Sequence, residues 1–126
     1  MKKFVTLLLC MLPVSLFAQV NDGIRQAMDN YDYETVVTLI ESDCQDSLLL
    51  ITKAQALKAM NRYPEAIGVL NSLILKDSTN TKVLIDLAEC YKLTGNSRRA
   101  ANCYQKAMNL QPENKFFRLQ FIRSLL

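Results

Sequence analysis

Residues 81–114, TKVLIDLAECYKLTGNSRRAANCYQKAMNLQPEN, decide the fold. Shifted back by 34 residues, Leu84 falls on Leu50, Ile85 on Ile51, Ala88 on Ala54, Lys92 on Lys58, Ala100 on Ala66 and Asn114 on Asn80. Apolar side chains recur every three or four residues within each copy, the period of a helix with one buried face. The spacing predicts helices at Ser47–Met60 and Tyr63–Lys76, then at Thr81–Thr94 and Ser97–Leu110. Only Asn61-Arg62 and Gly95-Asn96 separate the members of each pair, so each pair must fold back as an antiparallel hairpin. Ala54 against Ala66, and Ala88 against Ala100, are the small residues that let the two backbones approach. Leu50, Leu57 and Leu70 surround the first contact; Leu84, Tyr91 and Tyr104 surround the second.

A hairpin of this kind leaves one apolar face uncovered, and a second copy at a fixed offset covers it, which stacks the units into an all-α solenoid. Residues 81–114 resemble a tetratricopeptide repeat. Leu84 stands where that family usually has Trp, Leu87 and Ala88 at its Leu-Gly pair and Tyr91 at its Tyr. Ala100, Tyr104, Ala107 and Pro112 fill its Ala, Phe, Ala and Pro positions. The copy at 47–80 matches in Leu50, Ala54, Leu57, Ala66 and Leu70, but Lys53 replaces the Leu and Ser78 the Pro. A plain helical bundle with chance periodicity is the alternative.

The resemblance implies a helix-hairpin solenoid of about 2.5 to 3.5 repeats that acts as a protein-interaction scaffold and not as an enzyme. It places binding in a groove lined by the first helix of each pair. The lining residues would be Leu48, Ile51, Gln55 and Lys58, then Lys82, Ile85, Glu89 and Lys92, and their spacing keeps each set on one helical stripe. Two Lys among Ile and Leu suit an extended or helical segment with apolar anchors and a carboxylate; an ordinary half-solvated surface is the alternative. Family members that bind chaperone tails use a clamp of basic and Asn residues here. Lys82 matches one base, but Thr52 and Asp86 stand where Asn and a second base are wanted, so that clamp is not expected.

Met1–Ala18 reads as a secretory signal peptide: basic Lys2 and Lys3, an apolar run from Phe4 to Leu12, then Pro13. Cleavage after Ala18 leaves Gln19 first and 108 residues, one domain, although Leu16 departs from the small residue wanted two before the cut. The protein is then periplasmic or secreted, with no membrane span once mature; a retained anchor is the alternative. Cys10 follows bulky Leu9, so a lipid-attachment site is not expected. Between Asp22 and Asp46 seven acids face Arg25 alone, a balance of −6, whereas Ser47 onward carries +7. An acidic entry end and basic remainder fit head-to-tail stacking or an acidic partner, or merely solvated faces. The mature balance of +1 gives no case for nucleic acid.

Residues 21–46 read as a degenerate first repeat. Ile24, Ala27 and Met28 belong to its first helix and Tyr33, Val36, Val37, Leu39 and Ile40 to its second. Aligning Asn30 with Asn61 puts Thr35 on Ala66 and Leu39 on Leu70, an offset of 31. Asp46 or Ser47 is the expected cap of the next helix.

Residues 115–126 continue the helical register as a partial repeat or capping helix, with apolar residues almost all the way round. That pattern expects burial on both sides. Phe116, Phe117, Phe121, Ile122 and Leu125 are therefore candidates for contact with a further repeat or with another chain, which would make a homo-oligomer the alternative role.

The chain has no His, and its three Gly are at 23, 68 and 95, so His-based triads, His-metal sites and phosphate loops have no basis. No cofactor or metal is expected. Asp86 and Glu89 could be proposed as a carboxylate pair, but at that spacing read as surface. Cys90 and Cys103 lie at similar heights on one hairpin; helix axes about 8 to 10 Å apart disfavour a bridge needing Cα atoms about 5.5 to 6 Å apart. A redox role for that pair is the third alternative, and Cys44 lies among acids that disfavour a thiolate.

Overall fold

The computed structural model describes residues 14–41 and 44–126, with side chains from Gln19 onward. Most of the expected signal peptide, residues 1–13, lies outside the described residues, as do Ser42 and Asp43 of the connecting loop. Seven described helices follow: α1 Val14–Asp29, α2 Tyr33–Leu39, α3 Ser47–Ala59, α4 Tyr63–Lys76, α5 Thr81–Leu93, α6 Ser97–Leu110 and α7 Lys115–Ser124. Each packs chiefly on the next in sequence, α1 on α2 through α6 on α7. The result is an all-α stack of three antiparallel hairpins with a final helix. No described helix is long and apolar enough to cross a membrane.

Polar residues set the helix starts by accepting otherwise unpaired amides of the first turn. Asp46 caps α3 through Leu48 N–H at 2.9 Å, which settles the cap on Asp46, with Ser47 inside the helix. Asn80 caps α5 through Val83 N–H, and Asn114 caps α7 through Phe116 and Phe117 N–H. At α4 no side chain caps; Arg62 precedes the helix and Pro64 sits in its first turn, where the missing N–H costs nothing.

The three hairpin turns share one geometry. Tyr31, Asn61 and Gly95 each adopt positive φ, at 59°, 61° and 81°. In each, the following amide returns to the preceding helix: Asp32 N–H to Ala27 C=O, Arg62 to Leu57 and Asn96 to Tyr91, all at 2.8 Å. The first repeat is therefore in register at an offset of 30 and not 31. Val36, not Thr35, is the counterpart of Ala66, and Ile40, not Leu39, that of Leu70. Burial agrees, since Val36 and Ile40 are buried while Thr35 and Leu39 are exposed.

Ala54, Ala66, Ala88 and Ala100 are all buried, at the crossing of α3 with α4 and of α5 with α6. Leu50, Leu57, Leu70, Leu73, Val83, Leu87, Tyr91 and Tyr104 fill the space around them in one cluster. Ala56 of α3 closes over Ile24, Ala27, Val36 and Ile40 of the first hairpin. Each hairpin's open face is thus covered by the next first helix, which is the reason such units do not stand alone.

The last helix does not bury both sides. Phe117 joins Leu84 and Ala107 in the interior and Phe121 packs against the main core. Phe116, Leu119, Ile122 and Leu125 remain exposed. Phe117 is thus buried by its own chain, whereas Phe121 is only partly buried by it.

Candidate functional site

The repeat register places equivalent positions of α3, α5 and α7 side by side. Leu48, Lys82 and Phe116 share one position, and Ile51, Ile85 and Leu119 the next; Gln55, Glu89 and Arg123 follow, then Lys58, Lys92 and Leu126. Leu48 is 75% exposed, Phe116 52% and Leu119 46%, while Ile51 and Ile85 are half-buried. Phe116 and Leu119 therefore continue the line of the eight candidate residues. An offset of 30 adds Asn21, Arg25 and Met28 of α1 to the same line. The 34-residue offset from Lys82 and Ile85 would have revealed Phe116 and Leu119.

Ile122 and Leu125 occupy a different face. They are the counterparts of Ala88 and Tyr91, which α6 buries, and no described helix covers them.

Lys58 links two stripes. Its ammonium donates to Glu89 Oε2, and its Nζ lies 3.7 Å from Asp86 Oδ1. Burial alone would lower the Lys58 pKa, but the hydrogen bond and charge of Glu89, helped by Asp86, hold it above the ordinary lysine value. Asp86 is pushed the other way from a typical paired acid. Burial raises its pKa, and Lys58 only partly offsets this. Lys58 commits its hydrogen bond to Glu89 and leaves Asp86 desolvated with a looser contact. Lys58 is thus not a free cation for a partner's carboxylate, and Asp86 and Glu89 are its counter-ions rather than an open surface pair. Lys82, Lys92, Arg25 and Arg123 have no ion-pair partner among the described residues.

Cys90 and Cys103 are free, buried thiols, and burial raises both pKa values, so the structure gives them the character of core residues rather than of a reactive pair. A cleft of about 460 Å³ opens away from the stripes, beside Leu50, Gly68 and Val69. Its Lys53 is tied to Ile40 C=O at 3.1 Å and its Lys76 to Gln45, so its cations are already engaged. No group of His, Cys, Asp and Glu suited to a metal ion exists among the described residues.

A tetratricopeptide repeat family model matches residues 57–120, half of the chain. The chain belongs to the tetratricopeptide repeat family. As a tetratricopeptide repeat protein it is non-enzymatic. Solved structures share the fold at low identity. PcrH, known from Pseudomonas aeruginosa and solved in complex with the chaperone binding region of PopB, is 14% identical with a TM-score of 0.69, over 90% of this chain and 95% of that one. The Yersinia enterocolitica type III secretion chaperone SycD, in complex with a peptide of the translocator YopD, is 20% identical with a TM-score of 0.69, over 91% and 92%. The Arabidopsis OM64 tetratricopeptide repeat domain is 16% identical with a TM-score of 0.71, over 85% and 92%.

Proposed function

We propose that the face formed by α1, α3, α5 and α7 binds a segment of another protein, extended or helical, through apolar anchors and acidic side chains. The observation that carries this reading is the line Ile51, Ile85 and Leu119: three branched apolar side chains at one repeat position, half-buried or exposed and flanked by unpaired cations. Apolar side chains left accessible in a row mark a contact surface more than scattered ones do. Lys82, Lys92 and Arg123 favour carboxylates over amines on the partner, since Asp86 and Glu89 are already neutralised in part by Lys58. Two of the three solved relatives hold a segment of another protein, which supports the same use of the fold here. Selecting displayed peptides against the full chain tests this. Peptides rich in Leu, Ile, Asp and Glu that lose binding to Ile85→Glu are expected, and selection of none contradicts it.

The same proposal places the protein outside the inner membrane of a bacterium, periplasmic or secreted. Its support is the basic start, apolar run and Pro13 of residues 1–18. Intact mass from the native host tests it: a chain starting at Gln19 is expected, and one retaining Lys2 and Lys3 contradicts export with cleavage.

A second reading has its own observation. Ile122 and Leu125 are exposed on the face that α6 covers in the preceding repeat, and self-association through them would bury that face. Light scattering over a range of concentrations separates the two. Mass rising with concentration supports association, and a constant monomer rejects it.

A further inference from the structure

We propose that the outward face of α7 docks the protein on an anionic lipid surface, the helix lying in the plane of the headgroups. On a helical wheel the outward half of α7 and its C-terminal turn carries Phe116, Leu119, Ile122, Leu125 and Leu126. Each is about half exposed or more, whereas Phe117 is buried on the opposite side. Lys115, Arg118 and Arg123 fall on the same half, between these apolar residues, and are exposed with them. A helix of 10 residues is about 15 Å long, half of the roughly 30 Å hydrocarbon core, so it can lie on a bilayer but not cross it.

The charge at this end of the stack is one-sided. From Ser97 to Leu126 six cationic side chains stand against Glu113 as the one acidic side chain, with the Leu126 carboxylate as a second anion. Arg118 donates to Pro112 C=O at 3.0 Å and keeps further donors for a phosphate. Lys115 and Arg123 have no ion-pair partner among the described residues. The acidic hairpin of α1 and α2 lies at the other end of the stack. An anionic surface therefore attracts one end of the molecule and repels the other, which orients it with α7 inward.

The interleaving of cations with apolar residues decides the occupant. A dry protein interface over Ile122 and Leu125 would strip water from Lys115 and Arg118 beside them. A lipid interface accepts both kinds, because apolar side chains enter the acyl boundary while Lys and Arg extend their charged heads to the phosphates. A second α7 packed on the first would bring six cations together. The α1–α2 hairpin of a second copy has the complementary charge, but its described large apolar side chains that stand exposed are Tyr31 and Leu39, too few to match five. This inference goes beyond the groove reading and competes with self-association for Ile122 and Leu125.

The chain has no Trp, so Ile122→Trp places a single fluorescent reporter on this face and Leu39→Trp one on the first hairpin. Both full-length variants, with helix content checked, are titrated with vesicles of phosphatidylglycerol and, separately, of phosphatidylcholine. With phosphatidylglycerol a saturable blue shift is expected for Ile122→Trp, quenched by brominated acyl chains, and none for Leu39→Trp. Residues 4–12 are themselves apolar, so this local readout, and not sedimentation with vesicles, assigns the contact to α7. Adding Lys115→Gln and Arg118→Gln to Ile122→Trp should weaken binding by about twentyfold, since each cation beside an anionic leaflet contributes roughly fivefold. No shift for Ile122→Trp, or an equal midpoint with both lipids, overturns the inference. Mass that rises with concentration in lipid-free buffer, with no shift on vesicles, gives the face to a second copy and overturns it too. Peptide binding retained without a shift overturns the docking inference alone, whereas a shift with no peptide selected supports it and counts against the groove reading instead.

Discussion

Lys58 of α3 donates to Glu89 of α5, joining residues 31 apart in sequence and one repeat apart in space. The bond fixes the spacing of the two first helices where the candidate groove is centred. Substituting Glu89→Gln should destabilise the chain by about 1 kcal/mol, the upper end for a partly exposed pair. Asp86→Asn should fall within about 0.5 kcal/mol of wild type, because losing the loose contact is offset by relief of desolvation. Urea unfolding at neutral pH checks the order, and a larger loss at Asp86 would reject this account of the pair.

The pH dependence follows from the same directions. The Asp86 pKa is raised on folding, so its contribution is favourable at low pH and is lost as pH rises from its unfolded value through its folded one. Lys58 is also raised, so its contribution is full below its unfolded value and disappears as pH climbs through the folded one, at the alkaline end. Asp86→Asn should therefore remove a fall in stability on the acid side while leaving the alkaline loss in place. Unfolding free energies measured across the range for both chains test this.

Two glycines make opposite demands. Gly95 has φ of 81° with open space around a Cβ, so Gly95→Ala meets only the conformational penalty and should cost about 1 kcal/mol. Gly68 lies inside α4 with nothing near a Cβ, and Gly68→Ala should stabilise by roughly 0.5 to 1 kcal/mol. Thermal unfolding of both variants gives the signs directly.

The Ala pairs set the helix separation. Ala88→Leu would force α5 and α6 apart at a fully buried crossing and should cost about 1 to 3 kcal/mol. Ile122→Ser, on the uncovered face of α7, should change stability little and keep helix content. Equal losses at the two sites would mean that Ile122 is covered.

The hairpins were legible because local rules and packing agree at the Ala pairs, and Gly95 and Asn61 are turn residues with a mechanism. The first repeat was misread by one position because Asn30 looks like the turn residue, whereas Tyr31, a residue that rarely takes positive φ, holds it. On α7 the apolar pattern hides three faces: Phe117 inward, Phe116 along the candidate groove and Ile122 on the face that no described helix covers. Burial separates them and periodicity does not. The engagement of Lys58 depends on a side chain crossing between repeats, which a one-helix stripe cannot show.

The central claim is that the first-helix face binds a protein segment through Ile51, Ile85 and Leu119. Its most direct test is the affinity of one display-selected peptide for the wild type, Ile85→Glu and Ile122→Ser, read by fluorescence polarisation on the full chain. The account predicts a loss of about tenfold or more for Ile85→Glu, as expected of a central apolar anchor, and no change for Ile122→Ser. Unchanged binding by Ile85→Glu, with the loss falling on Ile122→Ser instead, would contradict it.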